Sequence, residues 1–284
     1  MPTVLACSDG SLYAPSVCHY AAWAARRMNA GVLALHVIDA HRERSQMADL
    51  SGAIGIDASA ELTEELVRLE EAQGRVAQTQ GRAILQDAER LLREGGVTQI
   101  TTTQRHGSLV ETLGEFEGQA DLVVMGKRGK GADFAKGHLG SNLERVIRSL
   151  DRPVLVAARA MNEVRSFVLA YDGGPSALKA VDYLVTQPLL RGLTAHLVMA
   201  GRSDECQQRQ LEESQATLQA AGYEATTTFT PGTPEDVIAA AVKTKGADLL
   251  VMGAYGHSTI RQFFVGSTTA AMVRTCLIPI LMFR

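Results

Sequence analysis

One block of this chain occurs twice, and the repetition restricts the fold more than any other feature. In the first half, the apolar run Asp121-Leu-Val-Val-Met-Gly126 leads into Gly126-Lys-Arg-Gly129 and, ten residues later, Gly140-Ser141-Asn142. In the second half, Asp248-Leu-Leu-Val-Met-Gly253 leads into Gly253-Ala-Tyr-Gly256 and, nine residues later, Gly266-Ser267-Thr268. Each block then passes through a helix-like stretch to a proline-led apolar strand, Pro153 to Ala157 and Pro279 to Phe283. Glycines placed just after a strand let backbone N–H groups approach an anion, and a following Ser or Thr adds a hydroxyl donor. Two such loops in matching frames indicate an internal duplication of a phosphate-binding type of site.

The frames around the blocks also match. In the first half, Thr3 to Ser8 reads as a strand ending in Asp9-Gly10-Ser11, followed by an Ala-rich helix from Ala14 to Asn29 with Trp23 on its apolar side and Gly31 as its stop. Val32 to Val37 is the second strand, and Asp39 to Ala60 reads as a surface insertion or as a mobile flap over the first site. Glu61 to Glu94 is a long helix with Gly74 and Gly81 as weak points. Thr98 to Thr103 is a strand, Leu109 to Gln119 a helix, and Leu122 to Met125 and Val154 to Ala157 the last two strands. The second half runs in the same order: strand Phe167 to Ala170, then Asp172-Gly173-Gly174, then a helix from Ala177 to Leu190. Strand Ala195 to Met199, helix Asp204 to Ala221 with Gly222 as its stop, and strand Ala225 to Phe229 come next. Helix Pro234 to Thr244 and strands Leu249 to Met252 and Ile278 to Phe283 complete it. Strands alternating with helices predict right-handed βαβ crossovers and parallel sheets covered on both faces. The two final strands are short, apolar sheet edges, which predicts that the halves join through them as an intramolecular pseudo-dimer.

Composition narrows the function class. A length of 284 residues suits two domains, and 46% hydrophobic against 21% charged residues gives each half a core. The net charge of −3 supplies no electrostatic reason for a nucleic-acid partner. No run approaches the ~18 apolar residues of a membrane span, and the start, Met-Pro-Thr-Val-Leu, has no basic leader region, so neither membrane nor export is expected. Cys7, Cys18, Cys206 and Cys276 form no CxxC pair, which points to free thiols in a reducing, cytoplasmic setting without zinc. No Ser-His-Asp order, paired-carboxylate motif or Gly-Lys-Ser loop is present, so no catalytic residue is assigned.

Asp-Gly-Ser after the first strand, together with Gly-x2-Gly-x9-Gly-Ser, resembles the universal stress protein family over essentially the whole chain, as a tandem pair. The resemblance implies an α/β fold of two adenine-nucleotide α-hydrolase-like (Rossmann-like) domains, each an open five-stranded parallel sheet with helices on both faces. The domains are placed at residues 1–158 and 165–284. It also implies an adenine nucleotide, ATP with or without Mg, bound by a sensor or adaptor. Slow ATP hydrolysis and a non-binding interaction module are the alternatives, and homodimers of tandem chains are left open. Asp9 and Asp172 stand at strand ends where ligands bind in open sheets, and would meet an adenine edge or ribose hydroxyl; the competing reading is turn or helix-cap chemistry. Val37 and Val198 would supply adenine contacts from the second strand. Gly126, Gly129, Gly253 and Gly256 would wrap ribose and phosphate; Gly140, Ser141, Asn142, Gly266, Ser267 and Thr268 would hold the outer phosphates. Lys127, Arg128, Lys130, Lys136, His257 and Arg261 are cationic neighbours. His36 and His196, read as equivalent strand positions, are expected to be packed side chains rather than ligands. The second half, with the uninterrupted loop spacing, is expected to be the better site.

Overall fold

The computed structural model describes residues 1–38, 59–129, 141–202, 205–254 and 267–284. The first half contains β1 (Thr3–Cys7), α1 (Ala14–Met28), β2 (Gly31–Ile38), α2 (Ser59–Glu94) and β3 (Ile100–His106). It continues with α3 (Leu109–Phe116), a 3-10 turn over Glu117–Gln119, β4 (Leu122–Gly126), α4 (Ser141–Ser149) and β5 (Val154–Ala157). The second half contains β6 (Ser166–Ala170), α5 (Pro175–Thr186), β7 (Thr194–Ala200), α6 (Glu205–Ala220) and β8 (Ala225–Thr230). It closes with α7 (Pro234–Lys245), β9 (Leu249–Gly253), α8 (Ser267–Thr275) and β10 (Ile280–Phe283). The flap assigned to Asp39 to Ala60 lies outside the described residues up to position 58, and α2 opens at Ser59.

Local chemistry moves some of the expected boundaries. Asn29, not Gly31, ends α1: it takes the left-handed conformation (φ 50°, ψ 49°), where the short amide side chain is tolerated, and Ala30 N–H then bonds back to Ala25 O at 2.8 Å. Gly31 instead opens β2, its N–H donating to Pro2 O at 3.0 Å. Gly81 does not weaken α2. A Cβ there would lie 2.7 Å from Gln104 Oε1 and 2.8 Å from His36 Cδ2, so glycine lets the helix lie close on β2 and β3. The last strand begins at Ile280, two residues later than the apolar run starts, and Ala195 to Met199 extends by one residue at each end.

The strands form a single ten-stranded sheet in the order β3-β2-β1-β4-β5-β10-β9-β6-β7-β8. Each half is parallel, and the two join where β5 and β10 pair antiparallel, Val154 opposite Met282, Leu155 opposite Leu281 and Val156 opposite Ile280. The five-stranded sheets are therefore not separate; each uses its last strand to close the other's edge, which removes two unpaired apolar edges. The central strands are buried on both sides, as a doubly covered sheet requires, while the edge strands β3 and β8 are largely exposed or half-buried. Val4, Ala6, Leu281 and Phe283 belong to a core shared with α1, α2, α5 and α6. Leu5, Leu35, Val156 and Met282 belong to a second core shared with α3, α4, α7 and α8. Both cores run continuously across the seam. Polar bonds join the halves too: Arg27 on α1 donates to the carbonyl oxygens of Leu189 and Arg191 in the second half.

Candidate functional site

In the first half, the carboxyl ends of β1, β2 and β4 open into one cleft. Its lining includes Cys7, Asp9, Leu35, Val37, Leu109, Met125, Gly126, Arg128, Gly129, Asn142 and Leu143. Six residues assigned from the sequence thus meet here: Asp9, Val37, Gly126, Arg128, Gly129 and Asn142. Ser141 is the first residue of α4, whose start faces this end of the sheet; Gly140, Lys130 and Lys136 lie outside the described residues.

Asp9 closes a turn at the mouth of the cleft. Oδ1 accepts the Ser11 N–H at 3.0 Å, and Ser11 Oγ in turn accepts the Tyr13 N–H at 3.3 Å, a pair of side-chain-closed turns that leads into α1. The same carboxylate lines the cleft. Next to it, burial and then the Asp9 charge push the Cys7 thiol up to about 12, so it is a neutral wall of the cleft and not a nucleophile. His36 is a packed residue: it is buried, with Nδ1 2.8 Å from Ser8 O, fixing the β1–β2 ends.

Lys127 is not a cleft cation. Its ammonium reaches across the seam and donates to Cys276 O, with Ile278 O at 3.4 Å, in the link between α8 and β10. Only 9% of the residue is exposed, and burial lowers its pKa. Two carbonyl dipoles stabilise the charge that burial penalises, which explains why this lysine turns inward. Arg128 is the other described cationic residue of the cleft lining.

Gly126 and Gly253 have a tighter reason to be glycine than a ligand. A Cβ on Gly126 would lie 2.7 Å from Tyr13 Cβ, and one on Gly253 2.8 Å from Ser176 Cβ. In both halves the strand end presses on the start of the helix that follows the Asp-Gly turn.

The second half repeats the frame with different contacts. Asp172 Oδ1 accepts the Gly174 N–H at 2.8 Å, closing the turn before α5. Ser8 N–H bonds to Leu35 O and Tyr171 N–H to Val198 O, each at 2.9 Å, so Leu35 and Val198 are the structural equivalents. The register corrects the pairing of His36 with His196: His36 lies one residue after that point and His196 two before it. His196 instead sits 2.9 Å from Thr226 Oγ1 on β8, and burial, then Lys245, lowers its pKa. Val198 lines a groove against the start of α7, beside Thr233 and Val237. Ser267 and Thr268 open α8, but Thr268 Oγ1 donates to Glu235 Oε1 at 2.7 Å. Gly256, His257, Gly266 and Arg261 lie outside the described residues.

Sequence reading missed the apolar wall of the first cleft (Leu35, Leu109, Met125, Leu143), because these residues also read as ordinary core positions of β2, α3, β4 and α4.

The universal stress protein family model matches residues 1–158 and again 163–284. This chain belongs to the universal stress protein family and carries two tandem copies of its domain. Universal stress protein Slr1230 of Synechocystis sp. is 34% identical over 287 residues, covering 100% of both chains. Among solved structures, a universal stress protein of Archaeoglobus fulgidus superposes with a TM-score of 0.65 at 20% identity, over 99% of this chain and 96% of that one. A putative universal stress protein of Pseudomonas aeruginosa gives 0.63 at 16% identity, over 100% and 93%; at these identities the likeness concerns the fold. No described helix is long and apolar enough to cross a membrane, and the described residues contain no cluster of metal-ligating side chains.

Proposed function

We propose that this protein binds an adenine nucleotide, ATP or a close relative, in the first-half cleft and works as a sensor or adaptor of the stress response in the cytoplasm. The observation that carries the reading is the convergence of Asp9, Val37, Gly126, Arg128, Gly129 and Asn142 on one cleft at the carboxyl end of a parallel sheet. The residues fit the ligand by chemistry. Leu35, Val37, Leu109, Met125 and Leu143 offer an apolar slot for a base, and Asp9 an acceptor for an exocyclic amine or ribose hydroxyls. Arg128, Asn142 and the start of α4 offer charge and donors for phosphate. The bound nucleotide would supply a state to be read by partners. No residue of the described cleft is placed to activate water, since its thiol is held neutral and its carboxylate is engaged in a turn. Hydrolysis, if measured, should therefore be slow.

Calorimetric titration of the full chain with ATP tests the reading. Saturable binding should weaken on the order of tenfold or more in Asp9→Ala and in Arg128→Ala, by loss of a charge-assisted contact. Absence of binding, or unchanged affinity in both variants, would defeat it.

A further inference from the structure

The first two helices of each half pack against each other, and the duplicated positions along this contact have changed character. A Cβ on Gly10 would lie 2.8 Å from Ile84 Cδ1, and one on Gly173 would lie 2.8 Å from Gln210 Oε1, so Ile84 on α2 and Gln210 on α6 occupy corresponding places. In that register Leu85 matches Leu211 and Leu92 matches Leu218, all four buried. Ala88 then matches Ser214, and Leu91 matches Thr217. Three apolar residues on one helix face of the first half are therefore polar in the second. The approach of the helices differs as well. A Cβ on Gly95 would lie 2.5 Å from Ala22 Cβ, so glycine brings the end of α2 onto α1. The second half carries Ala221 for Gly95 and, in the frame set by Tyr13 and Ser176, Val185 for Ala22. The approach that glycine permits is not available to α6, and a groove opens between α5 and α6.

The structure assigns this groove as a binding site for a small organic ammonium ion with an aliphatic body, separate from the first-half cleft and independent of any nucleotide. Val181 and Val185 supply apolar wall, and each side of the groove adds one carboxylate, Asp182 from α5 and Glu213 from α6. The first-half counterpart of Glu213 is Asp87, which pairs with Arg90; the residue in step with Arg90 is Ala216, so that cation is missing. None of the ion pairs among the described residues involves Asp182 or Glu213. Lys179 and Arg209, close to them in sequence, line no part of the groove. Its floor holds two further oxygens. Thr186 and Thr217 return their hydroxyls to the carbonyl one turn back, at 2.9 and 2.8 Å. Ser214 makes no such bond: it is 5% exposed, lines the groove, and its hydroxyl has no hydrogen-bond partner among the described residues. The phenol of Tyr171, 4% exposed, is in the same position. Buried hydroxyls normally find partners. An ammonium group has three donors and no acceptor, which suits a groove of carboxylates and oxygen acceptors without a cation.

Titration of the full chain with hexylammonium, followed by amide NMR, tests the assignment, with hexanol and hexanoate as neutral and anionic chains of the same length. Hexylammonium should give saturable shifts confined to α5 around Val181 and α6 around Ser214, hexanol a weaker response, and hexanoate none. In Asp182→Asn/Glu213→Gln the affinity for hexylammonium should fall on the order of tenfold. Gln210→Ile/Thr217→Leu copies Ile84 and Leu91, fills the groove, and should abolish the shifts while thermal melts show a folded chain. Asp182 and Glu213 are exposed, so the charge variant keeps the fold and decides the matter if the filled variant does not. Absence of saturable hexylammonium shifts, an equal response to hexanoate, or unchanged affinity in either folded variant overturns the assignment.

Discussion

Gly126 and Gly253 show how one residue type can answer two demands. Both end a strand in a motif associated with ligand loops, and both are pressed against a helix start that leaves no space for a methyl group. Gly126→Ala and Gly253→Ala should each cost about 1–3 kcal/mol through overpacking, as read by urea unfolding, whether or not nucleotide is present. Unaltered stability in both would show that the glycines serve the loop alone. The cysteines give a second test at this scale. Burial raises the thiols of Cys7 and Cys18 to about 12 from the ordinary 9.0, with Asp9 and Asp87 adding to it respectively. Folded thiols then hold protons that the unfolded chain releases above pH 9, so this part of the stability is intact below pH 9 and is lost as pH climbs toward 12. Replacing Cys18 by Ala should flatten the alkaline loss seen in urea titrations at stepped pH. Iodoacetamide should label exposed Cys206 first and leave Cys7 and Cys18 unmodified until the chain unfolds.

Among the elements, the ones with strong periodicity were legible and their ends were not. The apolar runs of β4, β5 and β9 and the pairing of the last strands follow from sequence, because a short apolar edge strand in water needs a partner. The end of α1 did not, since Asn29 and Gly31 are both plausible stops and only the backbone path chooses between them. The alignment of His36 with His196 failed for a related reason: both strands hold a histidine among apolar residues, and register is set by the pairing with β1 and β6. Lys127 looked like a phosphate ligand because a lysine between glycines in a loop has no periodicity to reveal its direction. Its role is at the seam, and Lys127→Met, which keeps the stem but removes the donor from two carbonyls, should lower stability by about 1–3 kcal/mol. A thermal or urea melt matching the unaltered protein would contradict that role.

For the molecule as a whole, duplication has made one continuous sheet with two cores. Cores tolerate divergence that keeps volume and polarity, which is why the two halves remain superposable by motif. The first cleft is set by single side chains such as Asp9, Arg128 and Asn142, and nothing in the spacing of the glycine motif reports their charge. Separating the halves should expose β5 and β10, so the isolated segment 1–158 is expected to self-associate through Val154–Ala157, while the full chain has this edge covered. Sedimentation of the segment as a monomer would count against the seam as the main bond between halves. The central claim, a nucleotide in the first cleft, is tested most directly by hydrogen exchange of the full chain with and without saturating ATP. Added protection should fall on the β1 turn around Asp9, the β2 end at Leu35 to Val37, and Gly126 to Gly129, with the turn at Asp172 and the start of α8 unchanged. Protection confined to the second half, or none in either, would contradict the account.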